Sequence, residues 1–176
     1  FFKNLNQVNS KNCIIFNSVF KNELNNSGLW QHFQGVEIET SKDIFNDNSF
    51  NLMDFNCDQK NNVHFFYTLP FSKNRALIET TWISNLKNQN LRDYDLQLES
   101  YIKNNLGIKN YKINFTEKGA IPLFYPSLKN EGKIINIGSA GGMTRLSTGY
   151  TFLNIQEHSK YIVENIENIG KIKKFN

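Results

Sequence analysis

Two cysteines, Cys13 and Cys57, are all that 176 residues contain. That is too few for a disulfide framework, and no Cys/His spacing suits zinc, so a reducing compartment is expected and no metal site. His32, His64 and His158 stand far apart with no ligand pattern among them, and each reads as packed or exposed. No run approaches the ~18 apolar residues of a membrane span. The opening Phe1-Phe2-Lys3-Asn4-Leu5 has neither the basic start nor the long apolar stretch of a signal peptide. An initiator methionine is missing, and so is the Gly-x-Gly-x-x-Gly turn that begins a dinucleotide fold after its first strand. The expectation is a soluble or peripheral polypeptide, a piece of a longer protein, with one core of ordinary domain size.

Charge of one sign is in modest excess, +4 at neutral pH with a pI near 9.0. Such a balance suits nucleic acid or an anionic membrane surface. The positive residues are scattered, except for Lys171, Lys173 and Lys174, and no nucleic-acid motif accompanies them. No nucleic-acid partner is expected. The basic tail reads as a solvated end, and a membrane-facing role would suit an enzyme with a lipid substrate.

What the chain does have is a stretch around which the rest is organised. Val63 to Leu69 and Ala76 to Trp82 are rich in β-branched and aromatic residues and flank Pro70-Phe-Ser-Lys-Asn74, which reads as a β-hairpin. With those five residues as the loop, Leu69 pairs with Arg75, Tyr67 with Leu77 and Phe65 with Glu79 on one face. Glu79 then reads in either of two ways. It is a solvated strand carboxylate, or it is an acid beside aromatic rings whose desolvation raises its pKa toward neutrality and fits it to donate a proton.

Other elements follow from periodicity. Cys13-Ile-Ile-Phe16 reads as a buried strand ended by Asn17-Ser18, and Phe33 to Glu39 alternates as a strand with Val36 and Ile38 on one face. Phe50 to Gln59 adds another, giving a sheet of at least four strands, mostly antiparallel because the connections are short. Leu91 to Leu106 is the clearest helix: Tyr94, Leu98, Tyr101, Ile102 and Leu106 recur at helical spacing, and Gly107 stands where it stops. Its stripe is expected on the sheet. Tyr111 to Glu117 alternates as a strand, after which Gly119 and Pro122 punctuate a turn. Lys133 to Ile137 is a buried strand entering Gly138-Ser-Ala-Gly-Gly142-Met143, and from Thr148 one helix of about 20 residues runs to Gly170. Strand, glycine turn and helix together can bring backbone N–H groups to a phosphate or a flavin ring, although tight turning alone also explains glycines.

A series of runs resembles, in order, the motifs of the bacterial lycopene cyclases, flavoproteins of carotenoid synthesis. Gln31-x-Phe33-x-Gly35-x-Glu37 is similar to the opening of their substrate domain, and Met53-Asp54 with Asp58-Gln59 to their Met-Asp-x-x-x-Asp-Gln strand. Tyr67-Thr-Leu-Pro-Phe-Ser followed by Leu77-Ile-Glu-Thr-Thr81 resembles the hairpin in which Phe-Leu-Glu-Glu-Thr carries the acid. Glu117-x-Gly-Ala-Ile-Pro-Leu123, Gly138-x-Ala-x-Gly-Met143 and Thr148-Gly-Tyr150 are similar to their flavin-proximal and second flavin-binding motifs. The likeness runs from about Trp30 to Tyr150. Departures are Asn17-Ser18-Val19 in place of an Asp-Gly-Arg turn, Thr80 in place of a second Glu, Ser139 where related hydroxylases place Asp, and Arg145 where many cyclases have His.

The resemblance implies an α+β fold: a mostly antiparallel substrate-domain sheet with a packed helix, plus the C-terminal strand-turn-helix of a Rossmann-like FAD-binding domain. Its divisions would be 1–28 for the end of the nucleotide-binding part, 29–130 for the substrate sheet and 131–176 for the flavin strand-turn-helix. It implies a redox-neutral, acid-catalysed closure of the ψ ends of lycopene to β-ionone rings. Glu79 would be the acid, and Phe65, Tyr67, Ile121 and Pro122 would meet the substrate. Gly138, Ser139, Ala140, Gly141, Gly142, Met143, Thr148 and Gly149 would hold reduced FAD, with NAD(P)H as reductant. The chain would be cytoplasmic and peripheral to a membrane, would lack an N-terminal dinucleotide-binding segment, and would be inactive in isolation. A related FAD-dependent hydroxylase or geranylgeranyl-type reductase, and a non-catalytic lipid-binding fragment, are the other two readings.

Overall fold

The computed structural model describes residues 14–20, 28–85, 92–125 and 134–171. Cys13, Leu91, Lys133, Lys173, Lys174 and the first five residues lie outside them. The chain divides into two compact units at residues 27 and 121, the outer one combining both ends of the sequence.

The inner unit is a five-stranded sheet covered by a helix. In chain order its strands are β2 (Trp30–Glu39), β3 (Asn51–Asp54), β4 (Val63–Ser72), β5 (Arg75–Ser84) and β6 (Lys112–Pro122), arranged β3-β4-β5-β2-β6; β1 (Ile15–Asn17) belongs to the outer unit. β2 with β5, β3 with β4 and β4 with β5 pair antiparallel, as short connections require. Side chains alternate across each strand, so His32, Gln34, Val36, Ile38, Phe66, Ile78, Thr80 and Trp82 are buried on one face.

Helix α1 (Tyr94–Ser100) lies on that face and continues through a π turn at Tyr101–Asn105. The predicted stripe is the buried one: Tyr94, Leu98, Tyr101 and Ile102 are each at most 3% exposed. Tyr101 stacks on Phe66 at 3.9 Å. The N–H of Leu106 returns to the Tyr101 carbonyl, and Gly107 then takes φ +69°, a conformation open to glycine, which stops the helix.

The hairpin differs from the sequence expectation in its turn. Only Lys73-Asn74 connect the strands, and an irregularity between Pro70 and Ser72 puts one extra residue on β4. Leu69 therefore pairs with Leu77, Tyr67 with Glu79 and Phe65 with Thr81. The slip from the expected register is two residues, and an even slip keeps every side chain on its face. Pro70 sits inside β4 and not in a loop; β3 stops opposite Thr68, which leaves one edge of β4 open where a proline is tolerated.

A second correction concerns residues 118–122. Gly119 and Pro122 do not form a turn, because β6 runs through both. A Cβ on Gly119 would stand 2.7 Å from Cζ of Phe33, so this glycine makes room for a ring and not for a bend.

The outer unit holds two parallel strands, β1 (Ile15–Asn17) and β7 (Ile134–Asn136), in register Ile15 to Ile134. The Asn17 side-chain amide donates to the Asn136 side-chain oxygen at 2.8 Å, and the N–H of Ile137 donates to the Asn17 carbonyl. A 3-10 turn, Gly138–Gly141, follows β7. The expected helix from Thr148 begins instead at Phe152, as α2 (Phe152–Glu164), and a 3-10 segment carries on to Lys171. Two turns occupy the gap, with Gly149 at φ +73°.

Candidate functional site

The face of the sheet turned away from α1 carries Phe65, Tyr67 and Leu69 of β4 beside Leu77, Glu79 and Thr81 of β5. The Phe65 and Tyr67 rings meet edge to face at 5.2 Å, and Phe55 closes on Phe65 at 5.6 Å. Glu79 is half-buried in this setting, directly opposite Tyr67 on one side and Gly35 on the other. Of the two readings that pattern left open, the solvated carboxylate is the one the structure does not show.

Burial pushes the Glu79 carboxyl up to about 7, and the negative charge of Glu117 adds to the rise. The Thr81 hydroxyl, donating to Glu79 Oε1 at 2.7 Å, acts the other way. A carboxyl with such a pKa holds its proton near neutrality and can still give it up. The Tyr67 hydroxyl is also raised, by burial and then by the Glu79 charge, and stays protonated.

Thr80, the position where a second acid is common in the resembling enzymes, points through the sheet to the opposite side. It is fully buried, donates to Gln97 Oε1 at 2.8 Å and meets His64 Nε2 at 2.8 Å. A carboxylate at 80 would share no face with Glu79. His64 stacks on Trp82 at 3.7 Å, with Nδ1 2.9 Å from the Asp58 carbonyl, and Gln59 clamps its backbone from both sides. The Asp58-Gln59 pair thus anchors the start of β4. His32 lies between the Tyr94 and Ser84 hydroxyls, and burial lowers it to about 4. All three histidines are buried, each with its pKa depressed by desolvation.

Ile121 shares the face of Glu117, four residues or roughly 13 Å further along β6, while Pro122 turns to the other face and is fully buried. Neither adjoins the Glu79–Tyr67 pair. Phe65, Tyr67 and Glu79 are the expected site residues that the sheet brings together.

The glycine segment is in the outer unit. Gly138 and Gly142 have φ +55° and +74°, and a Cβ on Gly141 would stand 2.7 Å from the Asn136 carbonyl oxygen. These three positions need glycine. The N–H groups of Gly141, Gly142 and Met143 bond back to Ile137, Ser139 and Gly138, which makes a small closed turn. Asn154 of α2 donates to the Met143 carbonyl at 2.7 Å and fixes the turn to the helix, while Thr148 is exposed. With those N–H groups engaged inside the turn, what it could offer a planar group is uncovered glycine backbone and not free donors.

Sequence reasoning had picked out Glu117 and Gly35 only as parts of motifs. The structure adds their relation: a Cβ on Gly35 would lie 3.1 Å from Glu117 Oε1, so the Glu117 side chain lies over the one residue of β2 opposite Glu79. The signal available in sequence was the glycine inside an otherwise regular strand.

The chain belongs to the lycopene cyclase family, described as "Lycopene cyclase protein", whose profile matches residues 6–175. It is similar to the chloroplastic lycopene beta cyclase of Solanum lycopersicum, 32% identical over 133 residues, 69% of this chain and 26% of that one. The Capsicum annuum enzyme is 29% identical over 132 residues, again 69% of this chain and 26% of the relative. The chain thus spans about a quarter of the length of these curated relatives, which are plant proteins. Among solved structures, a geranylgeranyl bacteriochlorophyll reductase-like protein from Thermoplasma acidophilum aligns over 79% of this chain and 40% of its own, with TM-score 0.45 and 15% identity. Among the described residues no helix is long and apolar enough to cross a membrane.

Proposed function

We propose that this chain supplies the catalytic acid and the C-terminal part of the flavin cradle to a lycopene β-cyclase. The observation that carries the reading is Glu79, half-buried opposite Tyr67 on an aromatic sheet face, where burial pushes its carboxyl up to about 7. The substrate is a hydrocarbon, so an apolar face with one protonated acid is the chemistry it needs.

In this mechanism Glu79 donates its proton to the terminal double bond of a ψ end group. The resulting tertiary carbocation is attacked by the neighbouring alkene, the ring closes, and loss of an adjacent proton leaves the β ring. Phe65 and Tyr67 turn aromatic surface toward this region; ring faces attract a cation and the pair excludes water. Residues Gly138 to Met143 with Thr148 and Gly149 hold FAD, kept reduced by NAD(P)H. When bound, reduced FAD supplies an electron-rich ring that offsets positive charge. The reaction moves no electrons overall. The domain limits 29–130 for the substrate sheet and 131–176 for the flavin part, a preceding dinucleotide-binding segment, a cytoplasmic site of action against a membrane surface, and inactivity of the isolated chain all belong to this proposal.

The test is Glu79→Gln in the full-length enzyme, with carotenoids extracted and separated. Ring formation is expected to disappear while flavin binding persists. Wild-type amounts of cyclised product from the variant would remove Glu79 from its role, and reductant consumed in step with product would point to a hydroxylase or reductase instead.

A further inference from the structure

Ring closure takes up one proton and releases another, and a base for the second step has to stand near the acid. Glu79 leaves the first step as a carboxylate facing a cation, and Thr80 faces the wrong side of the sheet. β2 and β6 place three further carboxylates on the Glu79 face: Glu37, Glu39 and Glu117. Glu37 is paired with Arg75 at 3.4 Å, toward the hairpin turn, and Glu39 accepts from Asn114 at 2.8 Å. Glu117 has no hydrogen bond or ion pair among the described residues. It extends over Gly35, the direct partner of Glu79, to within 3.1 Å of where a Cβ would be. Gly35 is not at positive φ, so its backbone does not ask for glycine. Space does: a Cβ there would meet Glu117 Oε1 and Leu77 Cδ1, each at 3.1 Å.

Resting on the proposed cyclase reading, we infer that Glu117, reaching from β6 across the side-chain-free Gly35, is the carboxylate that takes the proton released on ring closure and returns it to Glu79. The balance is complete without an oxidant or reductant. Glu79 gives H⁺ to the terminal alkene, whose electron pair forms the new C–H bond; the next alkene's pair forms the ring C–C bond. Glu117 removes H⁺ from the carbon beside the cation, the C–H pair becomes the ring double bond, and the proton moves from Glu117 to Glu79. The charge of Glu117 also explains part of the rise at Glu79. The other titratable groups on this face are the raised Tyr67 hydroxyl, the Glu37–Arg75 pair and Glu39, none of which offers a free base.

The experiment compares Glu117→Gln, Glu117→Asp, Gly35→Ala and Glu79→Gln in the full-length, FAD-loaded enzyme, with lycopene presented in phosphatidylcholine vesicles across a pH series. Glu117→Gln is expected to lower the maximal cyclisation rate about 10²-fold or more. Its alkaline limb should move to lower pH, because Glu79 loses a neighbouring negative charge. Glu117→Asp should recover part of the rate, and Gly35→Ala, which keeps both carboxyls and crowds one, should lose rate in the same direction. Flavin content and thermal melting check folding; if Glu117→Gln fails them, the Asp and Ala variants decide, and wild-type rates in both overturn the inference. An unchanged maximal rate in Glu117→Gln, with or without a moved limb, overturns the base assignment. Full activity in Glu79→Gln is a separate result that sinks the acid, so the two failures are distinguishable.

Discussion

Glu79 and Thr80 are neighbours in the chain and serve opposite sides of one sheet, and the two sides treat a buried polar group differently. On the helix-covered side Thr80, His64, Trp82 and Gln97 share hydrogen bonds of 2.8 to 2.9 Å, and His32 has a hydroxyl at each ring nitrogen. Most polar groups there have somewhere to put a proton or lone pair, the buried Thr68 hydroxyl being an exception, which is close to what stability asks of a core. On the other side Glu79 has one hydroxyl donor, an aromatic partner and a like-charged neighbour. That arrangement costs stability and holds a carboxyl whose pKa burial raises. The proposed function lies on the Glu79 side, while His32 and His64 hold the packing of the other.

The comparison breaks most sharply at Trp82, 1% exposed and stacked on His64. Trp82→Ala should cost about 3–5 kcal/mol in urea unfolding. A loss below 1 kcal/mol would show that this side is not the core.

Titration separates the sides next, because their signs are opposite. The folded Glu79 pKa of about 7 lies above its ordinary 4.5, so its contribution is complete below pH 4.5 and is lost as pH rises through 7. Glu79→Gln should then be the more stable protein at pH 8, by at most about 3 kcal/mol, with no difference near pH 4. His32, lowered from 6.5 to about 4, contributes fully above pH 6.5 and loses that contribution as pH falls toward 4. His32→Gln should flatten the acid side of the stability profile and leave the alkaline side alone. Equal slopes in the variants and wild type would contradict both assignments.

Thr80→Val keeps shape and removes the hydroxyl shared by His64 and Gln97, and should cost about 1–2 kcal/mol in unfolding. In the full-length enzyme it should leave the cyclisation rate unchanged, since the side chain does not share the face of Glu79. A rate loss larger than the stability loss would place function on the helix side as well. Smallest is Tyr67: exchange for Ala is expected to slow cyclisation roughly tenfold, within the range of a desolvated cation–π contact, and exchange for Phe much less. Equal losses in the two variants would shift the role from the ring to the hydroxyl.

Much of this molecule was legible in the residue order. Alternation gives β2, runs of β-branched and aromatic residues give β4 and β5, and the helical stripe gives α1. Each of those signals is local, spanning a turn or a few strand residues, and burial of one face decides them. The hairpin register was missed because a bulge before the Lys73-Asn74 turn leaves no composition mark of its own, and the face survived only because the slip was even. Gly119 looks like a turn in sequence because the residue order shows the missing side chain but not the Phe33 ring that fills its place.

What residue order determined by itself is therefore the set of strands and their inner faces, since these depend on period and side-chain type; the resemblance to the family is what singles out Glu79 as the proposed acid. What the tertiary structure alone decided is which groups meet: Tyr67 against Glu79, Thr80 turned away, and Glu117 brought over Gly35 from a strand 82 positions further along. Contacts of that range come from strand order in the sheet, and strand order is fixed by packing of the whole unit and not by any local pattern.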